Sequence, residues 1–336
     1  MNSFLGLTSI DDFCQLTGIE SIELHRIAGS VLYREFYVPK KNGEKRLIED
    51  PVSELKAIQR IINDFLQGVY HFHRSSSAYG FLVSCSDDPP YLHRNIVNNA
   101  RQHIGKKWML NMDIEDFFHA VKSDRVAWIF LSKPFSFDSD LAYLLMQLTT
   151  YKGRLPMGAP TSPILSNFAA KLLDNDLETL SKSKGWVYSR YADDMSFSSD
   201  NEIMEQDIIL LRDYYEAHNF IANEKKVKLM GPGDEHSVTG IVVGNKNLDL
   251  KDEFFEQLGA ELKQLNEVSN VKGRLGVTLK DWVDDYRDRI EGMIVFAEFV
   301  LGERNEKVLA AKRELERALA STIQPGAYSW LDFPYF

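Results

Sequence analysis

Three aspartates carry the chemistry this sequence could perform: Asp113, which ends the run Trp108-Met109-Leu110-Asn111-Met112, and the adjacent pair Asp193-Asp194, which follows Tyr191-Ala192. Neighbouring carboxylates repel unless a cation neutralises them, so such a pair is a natural place for a divalent ion. Hard oxygen donors suit Mg²⁺, which keeps some of its waters and completes its shell with substrate phosphates. Two such ions about 3.5–4 Å apart would activate an attacking hydroxyl and stabilise a leaving pyrophosphate, which is nucleotidyl transfer. Taken singly, Asp113 is equally a helix cap and Asp193-Asp194 a polar turn, since aspartate is favoured in both places.

The elements around these residues decide whether they can meet. Trp108 to Met112 reads as a buried strand that delivers Asp113 at its end, with Asp116-Phe117-Phe118 following within a turn. Trp186 to Tyr191 and Met195 to Ser199 both alternate, which puts Ala192-Asp193-Asp194 at the tip of a tight hairpin. Upstream, Thr8 to Ile27 has helical spacing, Val31 to Val38 and Lys45 to Glu49 read as a hairpin about the turn Lys41-Asn42-Gly43-Glu44, and Ser53 to Leu66 reads as an amphipathic helix. Ser75-Ser76-Ser77 and Asp87-Asp88-Pro89-Pro90 signal loops. Ser162-Pro163 reads as an N-cap and first-turn proline opening a helix that runs to about Leu180. Lys251 to Val268, Leu279 to Gly302 and Glu303 to Ala320 have helical period.

With their flanks, the three aspartates resemble a known family. Asn111-Met112-Asp113-Ile114-Glu115-Asp116-Phe117-Phe118 resembles the first catalytic motif of reverse transcriptases, and Tyr191-Ala192-Asp193-Asp194 their best-known signature. Leu155-Pro156-Met157-Gly158-Ala159-Pro160-Thr161-Ser162-Pro163-Ile164-Leu165-Ser166-Asn167 resembles the motif lining the nucleotide pocket, and all three occur in family order. Asn99-Ala100-Arg101-Gln102-His103 and Val238-Thr239-Gly240 fit two short elements associated with the retron branch. Lys45-Arg46-Leu47-Ile48 resembles the fingers motif, so that the resemblance spans roughly Val31 to Leu301.

The resemblance implies roles for individual side chains. Asp113 and Asp193 would ligate both metals, with Asp194 close by. Arg46 would clamp the triphosphate, for which a guanidinium can make paired contacts; the bland alternative is a solvated strand charge. Phe118 matches the ring that excludes a ribose 2′-hydroxyl, against the alternative of a core aromatic, a part better suited to Phe117. Gly158 would let the backbone approach the incoming nucleotide. Lys226, or Lys225 if the register differs by one, sits where the family carries a lysine proposed to protonate pyrophosphate, and an exposed charge run is the rival reading.

Two features depart from the family pattern. Met157 stands where glutamine is usual before the pocket glycine and cannot offer the same hydrogen bonds, so nucleotide selectivity or fidelity is expected to differ. Val83 to Arg94 looks like added sequence, either an RNA or partner contact or a tolerated loop. Toward the C-terminus, Arg287, Arg289, Ile290 and Gly292 resemble the retron thumb helix that grips the template duplex, although mixed charges on helices usually mark solvated faces. The aromatic tail Tyr328, Trp330, Phe333, Tyr335 and Phe336 either packs or docks a partner.

Composition sets the outer limits. The 336 residues, 44% of them hydrophobic, can bury a substantial core. A net charge of −10 argues against nonspecific coating of nucleic acid, while Arg34, Lys40, Lys41, Lys45 and Arg46 crowd one segment and can supply a local positive groove. Cys14 and Cys85 make neither a disulfide framework nor a zinc set, so metal must be held by oxygen. No apolar run is long enough to span a bilayer and no signal peptide is evident, which predicts a cytoplasmic protein without a membrane partner.

The expected architecture is an α+β right-hand polymerase fold. It has an N-terminal helical segment at 1–30, fingers at 31–107, a palm with antiparallel sheet at 108–250 and a helical thumb and tail at 251–336, with 122–151 a candidate contribution to the fingers. The expected reaction is DNA synthesis on an RNA template using dNTPs and two Mg²⁺ ions, with Mn²⁺ as a substitute. The retron likeness implies priming from a 2′-hydroxyl of a cognate structured noncoding RNA. It also implies a branched RNA–DNA product, and an antiphage defence role beside an effector protein encoded nearby. Rival readings are an abortive-infection or diversity-generating polymerase, and a noncatalytic RNA-binding scaffold, against which the intact Asp113, Asp193 and Asp194 speak.

Overall fold

The computed structural model describes residues 3–40, 43–83, 89, 93–275 and 280–320. Lys41 and Asn42 of the first turn, Cys85, most of the Val83 to Arg94 stretch, and the aromatic tail lie outside the described residues. The chain forms two compact units, Met1–Asp234 and Glu235–Phe336, so the boundary falls inside the stretch assigned above to the palm.

The first unit opens with helices α1 (Ile10–Thr17) and α2 (Ser21–Ala28), where the sequence pattern suggested one. The break is at Gly18, whose φ of 70° is the left-handed cap conformation glycine adopts freely. Strands β1 (Tyr33–Pro39) and β2 (Lys45–Pro51) pair antiparallel from Tyr33↔Pro51 to Pro39↔Lys45. Helix α3 (Ser53–His73) buries Leu55, Ile58, Ile62, Leu66 and Val69, a stripe at helical spacing that carries the helix two turns past Leu66. Helix α4 (Ile96–Arg101) leads into strand β3 (Trp108–Asp113), followed by α5 (Phe117–Ala120), α6 (Ser123–Leu131), α7 (Ser139–Thr149) and α8 (Ser162–Lys184). Helix α7 packs against α1, α2, α3 and α6.

Ser162 is the first residue of α8 and not its cap: Thr161 holds the cap position, and the buried Ser162 hydroxyl donates to the Pro156 carbonyl at 2.6 Å. That bond ties the helix start to the loop before it, a use the sequence alone does not distinguish from capping. Strands β4 (Val187–Tyr191) and β5 (Asp194–Ser199) form the hairpin, then come α9 (Glu205–Ala217) and β6 (Lys228–Met230).

These strands make a four-stranded sheet in the order β4-β5-β3-β6, antiparallel throughout. Sequence-distant strands β3 and β5 are neighbours, with register Trp108↔Ser199 through Asp113↔Asp194. Leu110, Met112, Tyr188, Met195 and Phe197 from the sheet join Phe168, Leu173 and Leu177 of α8 in one buried core. The outer edge of β4 is covered by the serine-rich loop: Arg190 N donates to Ser77 O at 2.7 Å and Tyr79 N to Arg190 O at 2.8 Å, which satisfies backbone groups that would otherwise be left open.

The second unit holds a small sheet of β7 (Ser237–Val238), β8 (Ile241–Val243) and β9 (Leu248–Asp249), then α10 (Asp252–Leu275), α11 (Lys280–Leu301) and α12 (Glu306–Ala320). Leu258, Leu262 and Leu265 of α10, Ile290, Ile294 and Ala297 of α11, and Val308, Ala311 and Leu315 of α12 are buried at helical spacing. Arg289 is drawn to Glu261 at 2.5 Å, Arg287 pairs with Asp288 and Glu291, and Thr239-Gly240 make the β7–β8 turn with φ of 48° and 86°. Among the described residues no helix is long and apolar enough to cross a membrane.

Candidate active site

The ends of β3 and β5 put the aspartates together. Asp113 is the register partner of Asp194, Tyr191 pairs with Asp194 across the hairpin, and Ile114 N donates to the Asp193 carbonyl at 3.1 Å. Ala192, with φ of 60°, makes the turn tight enough for this. Asp113 is buried to 2% exposure, and its partners come from the segment before β6: Lys226 Nζ lies 2.6 Å from Oδ2, Asn223 Nδ2 lies 3.3 Å from Oδ1, and Asn223 N donates to the Asp113 carbonyl at 2.8 Å. Of the two lysine registers, Lys226 meets Asp113. Lys225 instead lines a cavity of about 250 Å³ with Glu115, Arg212 and Glu216.

The electrostatics follow from the crowding. Desolvation pushes the Asp194 carboxyl up, and the charges of Asp193 and Asp113 push it further, to about 7; because Asp194 is an exposed residue at the strand end, solvent screens part of this. Asp193 is raised by desolvation and then by Asp113. Burial works against the charge of Lys226, but the hydrogen bond to Asp113 and the three carboxylates hold it above its ordinary range. A divalent cation is the species that would relieve this repulsion, and the donors are the hard oxygens such an ion takes. Among the described residues no three acidic, histidine or cysteine side chains are already closed into a ligand group; Asp113 is held by Lys226 and Asn223 instead.

A buried network fixes the turn from behind. Arg190 is fully buried and grips Asp174 through Nε and Nη2 at 2.8 and 2.7 Å, while its Nη1 donates to Asn167 Oδ1 and to the Ala192 carbonyl, both at 2.9 Å. Asn167 in turn donates to Gly80 O at 3.0 Å, and Gly80 touches the turn so closely that a Cβ there would lie 2.4 Å from Ala192 N. Sequence reasoning missed the Arg190–Asp174 pair at its heart. Its signal was a charge on an apolar face: Asp174 stands between the buried Ala170 and Leu177 of α8.

The retron-associated Asn-Ala-x-x-His element also gains a physical role. His103 is buried completely and bridges the sheet, with Nδ1 2.7 Å from Ser198 Oγ and Nε2 2.8 Å from Ser189 Oγ. Burial depresses its pKa to about 3, so it stays neutral.

Of the remaining predicted residues, Arg46 lies on β2 and Met157 and Gly158 meet that strand at Glu49, while Phe118 packs elsewhere. Arg46 is exposed on that strand opposite Val38. Met157 is half-buried, its carbonyl accepts from Glu49 N and its N–H donates to the Glu49 carboxylate, and a Cβ on Gly158, with φ of 131°, would lie 2.7 Å from the Glu49 carbonyl. Phe118 is half-buried, its ring 5.7 Å from Phe81 and 6.0 Å from Phe117. Phe117 is the core aromatic, packed on Phe220 at 5.7 Å with the Arg190 guanidinium 5.8 Å from its ring.

An antiparallel sheet that carries paired carboxylates at the tip of a hairpin, backed by helices, is the architecture of a nucleic-acid polymerase. The chain belongs to the reverse transcriptase (RNA-dependent DNA polymerase) family, whose model matches residues 38–262. It is similar to the Retron Ec86 reverse transcriptase of Escherichia coli, at 29% identity over 81% of this chain and 84% of that protein. The Retron Mx65 reverse transcriptase of Myxococcus xanthus is 29% identical over 84% of this chain and 64% of its own length. These relatives support a retron-type reverse transcriptase, an RNA-directed DNA polymerase. Among solved structures, telomerase from Candida albicans overlays with a TM-score of 0.48 at 9% identity, covering 88% of this chain and 61% of that one.

Proposed function

We propose that this chain is a retron reverse transcriptase that copies its cognate structured RNA into DNA, starting from a 2′-hydroxyl of that RNA and leaving a branched RNA–DNA product. The observation that carries the catalytic part is the register Asp113↔Asp194 with Asp193 in the intervening turn, which brings three carboxylates to one end of the sheet. Mg²⁺, with Mn²⁺ as a substitute, would be held by Asp113, Asp193 and Asp194 and would supply nucleophile activation and charge neutralisation at the phosphoryl group.

The chain's own residues would do the rest. Arg46 would hold the triphosphate, Gly158 and the Met157 backbone would line the nucleotide site, and Phe118 would crowd the ribose 2′ position. Lys226, already charged beside Asp113, would hold a proton for the departing pyrophosphate. In this reading residues 31–107 are fingers, 108–250 palm and the helices beyond a thumb that takes the RNA–DNA duplex. The retron likeness also carries an antiphage role with a neighbouring effector and a cytoplasmic location.

The test is expression with about 300 base pairs of flanking DNA, room for one structured RNA of a few helical segments, and extraction of small nucleic acids. A short single-stranded DNA that survives RNase, shortens on debranching and vanishes in Asp193→Asn/Asp194→Asn is expected. Its absence from wild type, with the purified chain still extending primers on RNA, would overturn the retron part.

A further inference from the structure

The hairpin β1–β2 and the segment Tyr151 to Gly158 meet along a continuous seam. The rings of Tyr33 and Tyr151 stack at 4.4 Å, Lys152 pairs with Glu35, and Gln59 Nε2 donates to both Tyr33 Oη and the Leu148 carbonyl at 2.8 Å. At the centre is Glu49, with 0% exposure. Its carboxylate takes both Arg154 Nη atoms at 2.9 Å, takes the Met157 N–H at 3.3 Å, and has His119 Nε2 at 3.3 Å. Its backbone N–H donates to the Met157 carbonyl at 2.7 Å, and its carbonyl is the atom that excludes a side chain at Gly158.

A fully buried carboxylate is costly unless its geometry is good and its lone pairs are used, and both hold here. Burial pushes the Glu49 carboxyl up, but the Arg154 guanidinium outweighs this and holds it below the usual range, so the pair is ionic at neutral pH. Leu155 to Gly158 has no helix or strand to place it. Met157 contributes no polar side-chain anchor either, since a thioether is at best a weak acceptor. The loop is therefore located by what grips its backbone, and on both faces of Met157 that is Glu49. A planar, bidentate Arg–carboxylate pair fixes direction as well as distance, which a point charge would not.

We infer that Glu49 is a positioning residue for the incoming nucleotide: through Arg154 and the Met157 backbone it clasps the pocket loop to the strand that carries Arg46, so that both sides of the dNTP site are set before the nucleotide arrives. This rests on the reading of Arg46, Met157 and Gly158 as dNTP contacts.

The experiment is steady-state extension of a primer on an RNA template by the purified full chain, with Kd for primer–template and Tm measured on each variant. Glu49→Gln keeps the shape and removes the charge; Arg154→Lys keeps the charge and removes the fork. Preorganisation lost at a charge-assisted pair is expected to raise dNTP KM about tenfold or more in Glu49→Gln and by a smaller factor in Arg154→Lys. In both, kcat and primer–template Kd should stay within about threefold. A dNTP KM within about twofold of wild type in Arg154→Lys and in any folded Glu49 variant would overturn the clasp. So would losses in kcat and primer–template Kd equal to the loss in KM, which mark general damage. Arg46→Ala separates the two levels: if it leaves dNTP KM unchanged the pocket reading fails and the inference with it, whereas if it raises KM and the Glu49 and Arg154 variants do not, the clasp alone fails.

Discussion

The Lys226 ammonium lies 2.6 Å from Asp113 Oδ2, so the carboxylate that faces Asp194 across β3 and β5 carries its own organic counter-ion. A metal ion held by Asp113 would compete with Lys226 for that carboxylate and would leave the ammonium free to act as a proton donor. Lys226→Ala should therefore bind Mn²⁺ more tightly than wild type in a direct titration. Its single-turnover extension rate should fall on the order of 10²-fold, the scale of a lost proton donor. Weaker Mn²⁺ binding in the variant would show that Lys226 supports the site in another way.

The acidic set costs stability for the sake of chemistry. Asp194 has its pKa raised to about 7, so the folded state holds a proton that the unfolded state, with a carboxylate near its ordinary value, gives up. The folded chain binds more protons between those values, and stability falls as pH rises from about 4 to 7. Asp194→Asn should raise Tm at pH 7.5 in EDTA while reducing extension on the order of 10³-fold or more. A lower Tm would mean that Asp194 is held by favourable contacts.

His103 gives the opposite slope. Its folded pKa of about 3 lies below the ordinary histidine value, so the unfolded state binds the extra proton and stability is lost as pH falls below about 6.5. The loss should reach about 2 kcal/mol at pH 5. Urea unfolding from pH 8 to 5 would show it, and His103→Gln should flatten that part of the curve. An unchanged slope in the variant would move the effect elsewhere, His119 being another histidine lowered chiefly by burial.

Two glycines can be told apart by what a Cβ would meet. Gly80→Ala drives a methyl to 2.4 Å from Ala192 N, against backbone that cannot give way, and should cost about 1–3 kcal/mol and at least tenfold in extension rate. Gly259, inside α10 with nothing within 4 Å of where a methyl would sit, should gain about 0.5–1 kcal/mol as alanine with extension unchanged. Chemical denaturation of the pair checks both signs.

The elements around the aspartates were legible because their signals are local. The buried run before Asp113 and the two alternating strands about Ala192 each announce a strand, and two residues between them leave only a tight turn. The adjacency of β3 and β5 was not legible from periodicity; it came from the family likeness, because register between distant strands is a tertiary property. Glu49 and Arg190 are hidden in the sequence for a related reason. Each is a charged residue whose partner lies far away in sequence, Arg154 and Asp174, and pattern alone reads such a residue as solvent-facing. Ser162 misled by type, since a serine before a proline suits a cap, and only the Pro156 carbonyl at its side shows otherwise.

Primer extension on a defined RNA template with dNTPs, by the purified chain and by its Asp193→Asn/Asp194→Asn form, tests the central claim most directly. Full-length complementary DNA that depends on added Mg²⁺ or Mn²⁺, is made from dNTPs in strong preference to rNTPs, and disappears in the double variant is the predicted result. Absence of extension by the wild-type chain with either cation, or extension that persists in the double variant, would contradict the assignment of synthesis to these carboxylates.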